Sequence, residues 1–350
     1  LSGTTTFIAD PHEAANVAGI KGIDYILDQT EDASGDVYIM APSCVPCKDG
    51  EDTGCLMEAK DLRYLLDKPR ILGLGEVMDE RAVIGLESRM MDKLELFENR
   101  VKDGHAISIE GKELAAYAMA GILTDHESTE YKYAMMKVRN GMYVHIREGS
   151  AARNLEAIVR GIVDNNTDVS RFTFCTDDKH IEDIQREGHI SHNVRKAIRL
   201  GLDPLAAYKM ATLNQCYGLD HLGMIGVGKK ANLIILNDME TVDIDRVMYG
   251  GRFIDQVYDG NKGKVDPDLL NSLHIDWFKE EMLAYKSSRH AIGMIEGEIL
   301  TKLVDLDNYE LENEGLGSNK DQEVGNCDLG QTISKVAVIE RHHNTGNYHV

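Results

Sequence analysis

No apolar run in this sequence approaches the roughly 18 residues that a membrane-spanning helix requires, which excludes a transmembrane helix. Positive charge is also scarce. Lys and Arg number 38 against 59 Asp and Glu, leaving a formal net charge of −21. Phosphate backbones are bound by clustered basic side chains, so nucleic acid is not expected as the main partner. Cysteine is sparse, at six in 350 residues. Cys44, Cys47 and Cys55 cluster early while Cys175, Cys216 and Cys327 are scattered, which reads as reduced thiols rather than a disulfide framework. Disordered or collagen-like bias is missing as well, because 43% of residues are hydrophobic and 28% charged. The chain opens at Leu1 directly on strand-like sequence, where a missing N-terminus would hide any leader, and it stops at Val350 behind a strand-like KVAVIE. Both ends read as cuts in a longer chain. The length fits one large α/β domain with smaller attachments.

Two metal motifs begin and fail. His12-Glu13-Ala14-Ala15 starts like a metalloprotease HExxH but meets Asn16 where the second His belongs. The base-deaminase pattern of His-x-Glu and Pro-Cys-x-x-Cys is broken by the adjacency of His12 and Glu13 and by Ser43. Cys44-Val45-Pro46-Cys47 has CxxC spacing, but only Cys55 follows it, too few ligands for structural zinc. Bystander thiols are the favoured reading of that pair, with a redox pair as the alternative.

What is present is alternation. Strand-like runs at Thr4–Ala9, Val37–Ala41, Arg70–Gly75, His105–Ile109, Gly121–Leu123, Met142–Ile146 and Arg171–Cys175 are separated by helical stretches such as Lys112–Ala120 and Tyr131–Asn140. That order predicts parallel β/α architecture with seven strands, where a closed (β/α)₈ barrel has eight.

Polar, chemically capable residues follow most of these strands. They are Asp10-Pro11-His12-Glu13, Ser43-Cys44, Glu76, Thr124-Asp125-His126-Glu127, Arg147-Glu148-Gly149-Ser150 and Thr176-Asp177-Asp178. His105 opens its apolar run, unless the strand is the segment that ends at His105. Glu76 follows Leu72-Gly73-Leu74-Gly75, whose glycines let another group approach the backbone. Each signal alone fits an exposed loop residue, and Asp177-Asp178 fits a cap on a helix beginning near Ile181. As a series they fit a barrel active site, which is assembled at strand C-termini. A carboxylate and two imidazoles suit Zn²⁺, Mn²⁺ or Fe²⁺. A metal there activates water at neutral pH, and a free carboxylate such as Asp177 shuttles its proton, which together give metal-assisted hydrolysis.

The segments GTTTFIADPHEAANV, VYIMAPSCVP, GLGEVMD, DGHA, TDHES, REGSAARN, CTDD, EGHI, MATLNQCYGL, GMIGVGKKANLIIL and VAVIERHHNTGN resemble the adenine deaminases of the amidohydrolase superfamily. The likeness spans nearly the whole chain and is loose only over about 262–330. It implies a TIM-like (β/α)₈ barrel and a metal-activated hydroxide that converts adenine to hypoxanthine and ammonia in purine salvage. It further implies that Glu76 bridges two metals, that His105 and His126 are ligands, and that Asp177 is both ligand and proton shuttle, with Asp178 the weaker candidate. Asp10, His12 and Glu13 are expected to orient substrate or support the ligands, and Arg147 and Glu148 to hold the purine edge. The implied metals are a binuclear Mn²⁺ or Fe²⁺ pair, with Zn²⁺ a further candidate. A cytoplasmic homo-oligomer with adenine as its small-molecule partner is expected.

The superfamily places His-x-His at the end of the first strand, and no His-x-His occurs here. Ser2 stands where the family usually has His. The expected division is therefore a barrel lacking its first strand over 1–222, a β-sandwich segment over 223–262 and part of a C-terminal α+β domain over 263–350. His342-His343 is an unpromising ligand pair, because adjacent side chains on a strand face opposite ways. Two alternatives remain: an amidohydrolase acting on a cyclic amide or another aminated heterocycle, and a catalytically inactive fragment lacking the His-x-His ligands.

Overall fold

The computed structural model describes residues 2–48, 51–214, 219–254, 265–283, 290–294, 301–305, 317–318, 332–333 and 337–349. Cys216 and Cys327 lie outside them. Two compact units are present, Leu1–Leu270 and Asn271–Val350.

The first unit is built on a curled parallel sheet of α/β, TIM-like type. Strands β1 (Thr6–Ala9), β2 (Asp36–Ala41), β3 (Ile71–Val77) and β4 (Val101–Gly104) pair in sequence order, and so do β5 (Thr124–Asp125), β6 (Tyr143–Arg147) and β7 (Phe172–Cys175). All of these pairings are parallel. The two groups meet where Gly104 N–H donates to Thr124 Oγ1 at 3.0 Å. A Cβ on Gly104 would stand 2.2 Å from the Thr124 carbonyl oxygen, so only glycine lets the strands approach there.

Helices flank the strands. Helix α1 (His12–Ala18) opens at the end of β1, and α2 (Ile20–Gln29) returns the chain to β2. Helices Gly111–Met119 and Tyr131–Arg139 match the periodic stretches of the sequence to within one residue at each end. Leu155–Asp164 shows why such segments are helical: Leu155, Ile158, Val159 and Ile162 repeat at helical spacing and are all buried. Burying each such side chain is worth about 1.5–3 kcal/mol. They pack in one core cluster with Val144, Ile146, Phe172 and Phe174. A second cluster joins Ile39, Leu74, Val77 and Tyr117.

Two expected strands are displaced. His105–Ile109 is not a strand; β4 precedes it and His105 lies just past its end. Ala106 and Ile109 are buried, which mimics a strand in sequence, but the backbone donors are taken by side chains. Ala106 N–H bonds Asp125 Oδ1 at 2.9 Å and Ile107 N–H bonds Glu80 Oε1 at 2.5 Å. Gly121–Leu123 is a connection, with Gly121 at φ +86°, and the strand begins at Thr124.

The unit ends in an antiparallel sheet of Leu233–Asp238, Asp243–Tyr249 and Arg252–Phe253. Asp36 at the start of β2 ties it to the barrel, accepting from Asn232 Nδ2 and Tyr249 Oη at 3.0 Å each and from Lys230.

In the second unit, His290–Met294 pairs with Thr301–Asp305 and Val338–Ile339 with Tyr348–His349, both antiparallel. Glu340 shapes the loop that carries His342 and His343. It accepts backbone N–H bonds from His343 at 2.7 Å and Thr345 at 3.1 Å, and these donors hold its carboxyl down at about 2 against the pull of burial. Among the described residues no helix is long and apolar enough to cross a membrane.

Candidate metal centre

Glu76 is the hub. It is the penultimate residue of β3, and its side chain is 11% exposed. Oε2 lies 2.5 Å from His105 Nδ1 and 3.1 Å from His126 Nε2, while Oε1 lies 3.1 Å from His12 Nδ1. The two oxygens of one carboxylate thus serve two imidazole sets. Glu76, His105 and His126 each present a ligand atom within 4.8 Å of the others, and so do Asp10, His12 and Glu76.

Each group is placed by its neighbours. The Asp10 carboxylate accepts the Glu76 backbone N–H at 2.7 Å and lies against Gly75, which accounts for the glycine before Glu76. His105 N–H donates to Tyr117 Oη at 3.0 Å, and that hydroxyl donates to the Val77 carbonyl at 2.7 Å. Asp125 is fully buried beside His126. It accepts from Ser128 Oγ at 2.9 Å and pairs with the buried Lys137 ammonium at 3.0 Å. Lys137 also donates to the Ala106 carbonyl at 2.7 Å, so one buried ion pair fixes both histidine loops.

The charges favour a cation at the hub. Burial opposes ionisation of Glu76, yet the bonds to His105 and His126 outweigh it and hold the carboxyl well below the usual carboxylate range. Burial would likewise depress His126, but Glu76 lifts it to about 10. His12 rises to about 9, where burial is outweighed by Asp10 and then Glu76. Asp10 itself is pushed up to about 6 by burial. Protons therefore occupy this cluster at neutral pH, as they do where a dication would otherwise sit. Asp10 Oδ1 and His12 Nδ1 are buried and face each other at 3.4 Å without hydrogen-bond geometry, and the ligand atoms are oxygen and nitrogen with no sulfur. These residues fit a divalent transition metal.

Asp177 belongs to a neighbouring set. Its ligand atom lies within 4.8 Å of those of His126 and Glu127. Arg147 Nη1 bonds Asp177 Oδ2 at 2.8 Å and also bonds Glu127, whose Oε1 is 3.4 Å from His126 Nε2. Asp177 takes φ +53°, a left-handed conformation that costs a non-glycine residue about 1–3 kcal/mol and is typical of functional positions.

Other expected residues are not brought to the hub. Asp178 is exposed, and its N–H donates to Asp177 Oδ1 at 2.7 Å. Neither aspartate caps the following helix, whose N-cap is His180. Glu13 is 66% exposed, with Oε1 at 3.2 Å from His12 Nε2. Glu148 is fully buried but faces helix Ile190–Arg199, pairing with Lys196 Nζ at 2.7 Å. Burial works against its charge, but His192 and Lys196 hold it ionised below its usual range.

Sequence reasoning assigned no role to Glu127, Asp125 or Lys137. The first two carried a signal, since they flank His126 in TDHES; Lys137 carried none.

Residues 1–254 match the amidohydrolase family model. The chain is 47% identical over 353 residues to the adenine deaminase of Desulfitobacterium hafniense (strain Y51), covering 99% of this chain and 60% of that protein. It is 39% identical over 356 residues to the adenine deaminase of Clostridium acetobutylicum, again covering 99% and 60%. The chain thus spans about 60% of the length of the curated relatives it matches. Among solved structures, the β-aspartyl dipeptidase of Fervidobacterium islandicum AW-1 resembles it with a TM-score of 0.51 at 14% identity, over 72% of this chain and 74% of that one. A second structure of that dipeptidase gives 0.52 at 14% identity, over 72% and 73%. These two likenesses bear on the fold alone, and they agree with the barrel. The family and the candidate donor groups together support a divalent metal. With nearly three quarters of its length matched by that model, the chain belongs to the amidohydrolase family.

Proposed function

We propose that this chain is the metal-centre part of an adenine deaminase, which hydrolyses adenine to hypoxanthine and ammonia in purine salvage. The observation that carries the reading is Glu76, whose two oxygens are divided between His105 and His126 on one side and His12 on the other. With that division Glu76 would help hold a pair of Mn²⁺ or Fe²⁺ ions together with these histidines. The similarity to curated adenine deaminases over 99% of the chain supports adenine as the substrate. A small neutral base is compatible with a chain of net charge −21.

A divalent metal, when bound, supplies Lewis acidity and lowers the pKa of water. Glu76, His105 and His126 are the residues that would hold it. Asp177 is the proton carrier: its carboxylate takes a proton as the oxygen adds to C6 of the purine and returns it to the departing amino group. Arg147, bonded to both Asp177 and Glu127, holds that carboxylate in position. Asp10 and His12 support Glu76 or orient the base. A cytoplasmic location and self-association belong to the same reading. So does the division into a barrel at 1–222, a β-sandwich segment at 223–262 and part of a further domain at 263–350.

The test is the ultraviolet absorbance change of adenine on metal-reconstituted protein, with this chain and with a form extended to the relatives' full length. Conversion by the extended form is expected. An extended, metal-loaded protein that leaves adenine unchanged would sink the reading.

A further inference from the structure

Ser43 lies just beyond β2, and the proposed reaction gives it no part. It is nevertheless buried and bonded to the residue that forms the metal hub. The ladder of β3 fails at that residue. Its pairing with β2 ends at Leu74, and its pairing with β4 shifts register between Leu74 and Val77. Gly75 and Glu76 therefore have no registered partner on either neighbouring strand.

Side chains replace the ladder at Glu76. Asp10, just past the end of β1, accepts the Glu76 N–H at 2.7 Å, and Ser43 Oγ donates to the Glu76 carbonyl at 2.5 Å. The same carbonyl receives the Met78 N–H at 3.1 Å. The Cys44 sulfur, 3.0 Å from the Ser43 hydroxyl, is the weaker acceptor of its proton. With N–H and C=O both pinned, the Glu76 backbone is fixed and its carboxylate has fewer orientations to lose when it takes up a cation.

Ser43 is held in turn by Lys93, on helix Ser88–Leu96. The Lys93 ammonium donates to the Ser43 carbonyl at 2.5 Å, and the residue is 3% exposed. Lys137 meets the carboxylate of Asp125, whereas Lys93 meets a peptide oxygen, and Glu58 and Asp61 act on it only from a distance. Burial lowers its pKa from the usual lysine value. A desolvated cation without a bonded anion opposes folding, so its presence here calls for a function.

We propose that Lys93 and Ser43 are positioning residues for the metal centre. Lys93 fixes the Ser43 peptide, Ser43 fixes the Glu76 carbonyl, and the two Glu76 oxygens stay divided between His105 and His126 on one side and His12 on the other. The inference rests on the reading of Glu76 as a metal ligand, and it is independent of the substrate.

Equilibrium dialysis of Mn²⁺ against the metal-free full chain tests it, with no substrate present. Ser43→Ala and Lys93→Met are each expected to raise the Mn²⁺ dissociation constant about tenfold, the usual effect of removing a group that supports a ligand. The double variant should bind little more weakly than either single one, because both act through one chain of bonds. In a Glu76→Gln background, Lys93→Met should change the affinity no further. Should Lys93→Met fail to fold by circular dichroism, Ser43→Ala decides alone, since it removes a single oxygen. Wild-type affinity in the single variants overturns the proposal. So does an equal loss in the Glu76→Gln background, which would mark general damage to the barrel. A wild-type chain that retains no Mn²⁺ would sink the metal reading itself, and the inference with it.

Discussion

Asp10 and Gly75 occupy the same space from opposite sides: a Cβ on Gly75 would lie 2.1 Å from Asp10 Oδ2. The strand that carries Glu76 is therefore shaped by a carboxylate from another strand end, and the Asp10 bond to Glu76 N–H locks the pair. Gly75→Ala must displace either the backbone of β3 or the Asp10 side chain. A loss of about 1–3 kcal/mol is expected, measured as a lower urea midpoint. An unchanged midpoint would show that Asp10 moves aside freely and does not position Glu76.

Asp125 and Lys137 form a buried ion pair that ties the two histidine loops together. Replacing one partner leaves a buried charge alone, so Lys137→Met is expected to cost about 3–5 kcal/mol in urea unfolding. The double replacement Asp125→Asn with Lys137→Met should cost less than the sum of the single changes. Strict additivity would mean that the two side chains act independently.

Stability in acid should depend on Glu187. Burial opposes its ionisation, but Lys179 and then Arg153 outweigh that and bring it down to about 2 from 4.5. The folded form thus binds its proton more weakly than the unfolded form. The resulting stabilisation is present above pH 4.5 and is lost as pH falls through about 2. Thermal midpoints recorded from pH 6 downward, on the order of half-unit steps, should fall less steeply over that window in Glu187→Gln. Parallel curves would remove Glu187 from the account.

Asp177→Asn removes the proposed proton carrier but keeps its size and the bond it can accept from Arg147. Turnover of adenine by the extended, metal-loaded protein should drop about 10²–10⁴-fold, the usual contribution of such a group. Bound metal, measured by elemental analysis, should stay largely in place. Retained turnover would reassign the proton transfer to another group, Glu127 being the nearest carboxylate bonded to the same arginine.

Much of this was legible in the sequence because barrel chemistry sits at strand ends, and Glu76, His105 and His126 stood at or beside such ends. The alternation of apolar runs with helical stretches also read directly as parallel strands. Where the reading slipped, side chains had replaced a ladder. Ala106 and Ile107 look like strand residues, yet Asp125 and Glu80 take their backbone donors. Local sequence cannot reveal bonds from residues about 20 to 30 positions away. For the same reason Glu148 read as part of the site. Its neighbour Arg147 points towards Asp177, but Glu148 turns to Lys196, as adjacent residues at a strand end do. Lys137 sits inside an ordinary helix, and nothing local distinguishes it from a solvated lysine.

The central claim is that Glu76 organises a divalent-metal site with His105 and His126. Equilibrium dialysis of Mn²⁺ against the metal-free chain and against Glu76→Gln, read by elemental analysis, tests it most directly. The wild-type chain is expected to retain metal, and Glu76→Gln to bind at least about tenfold more weakly, because it loses the ionised ligand shared by both imidazole sets. Equal retention by the two proteins would contradict the account.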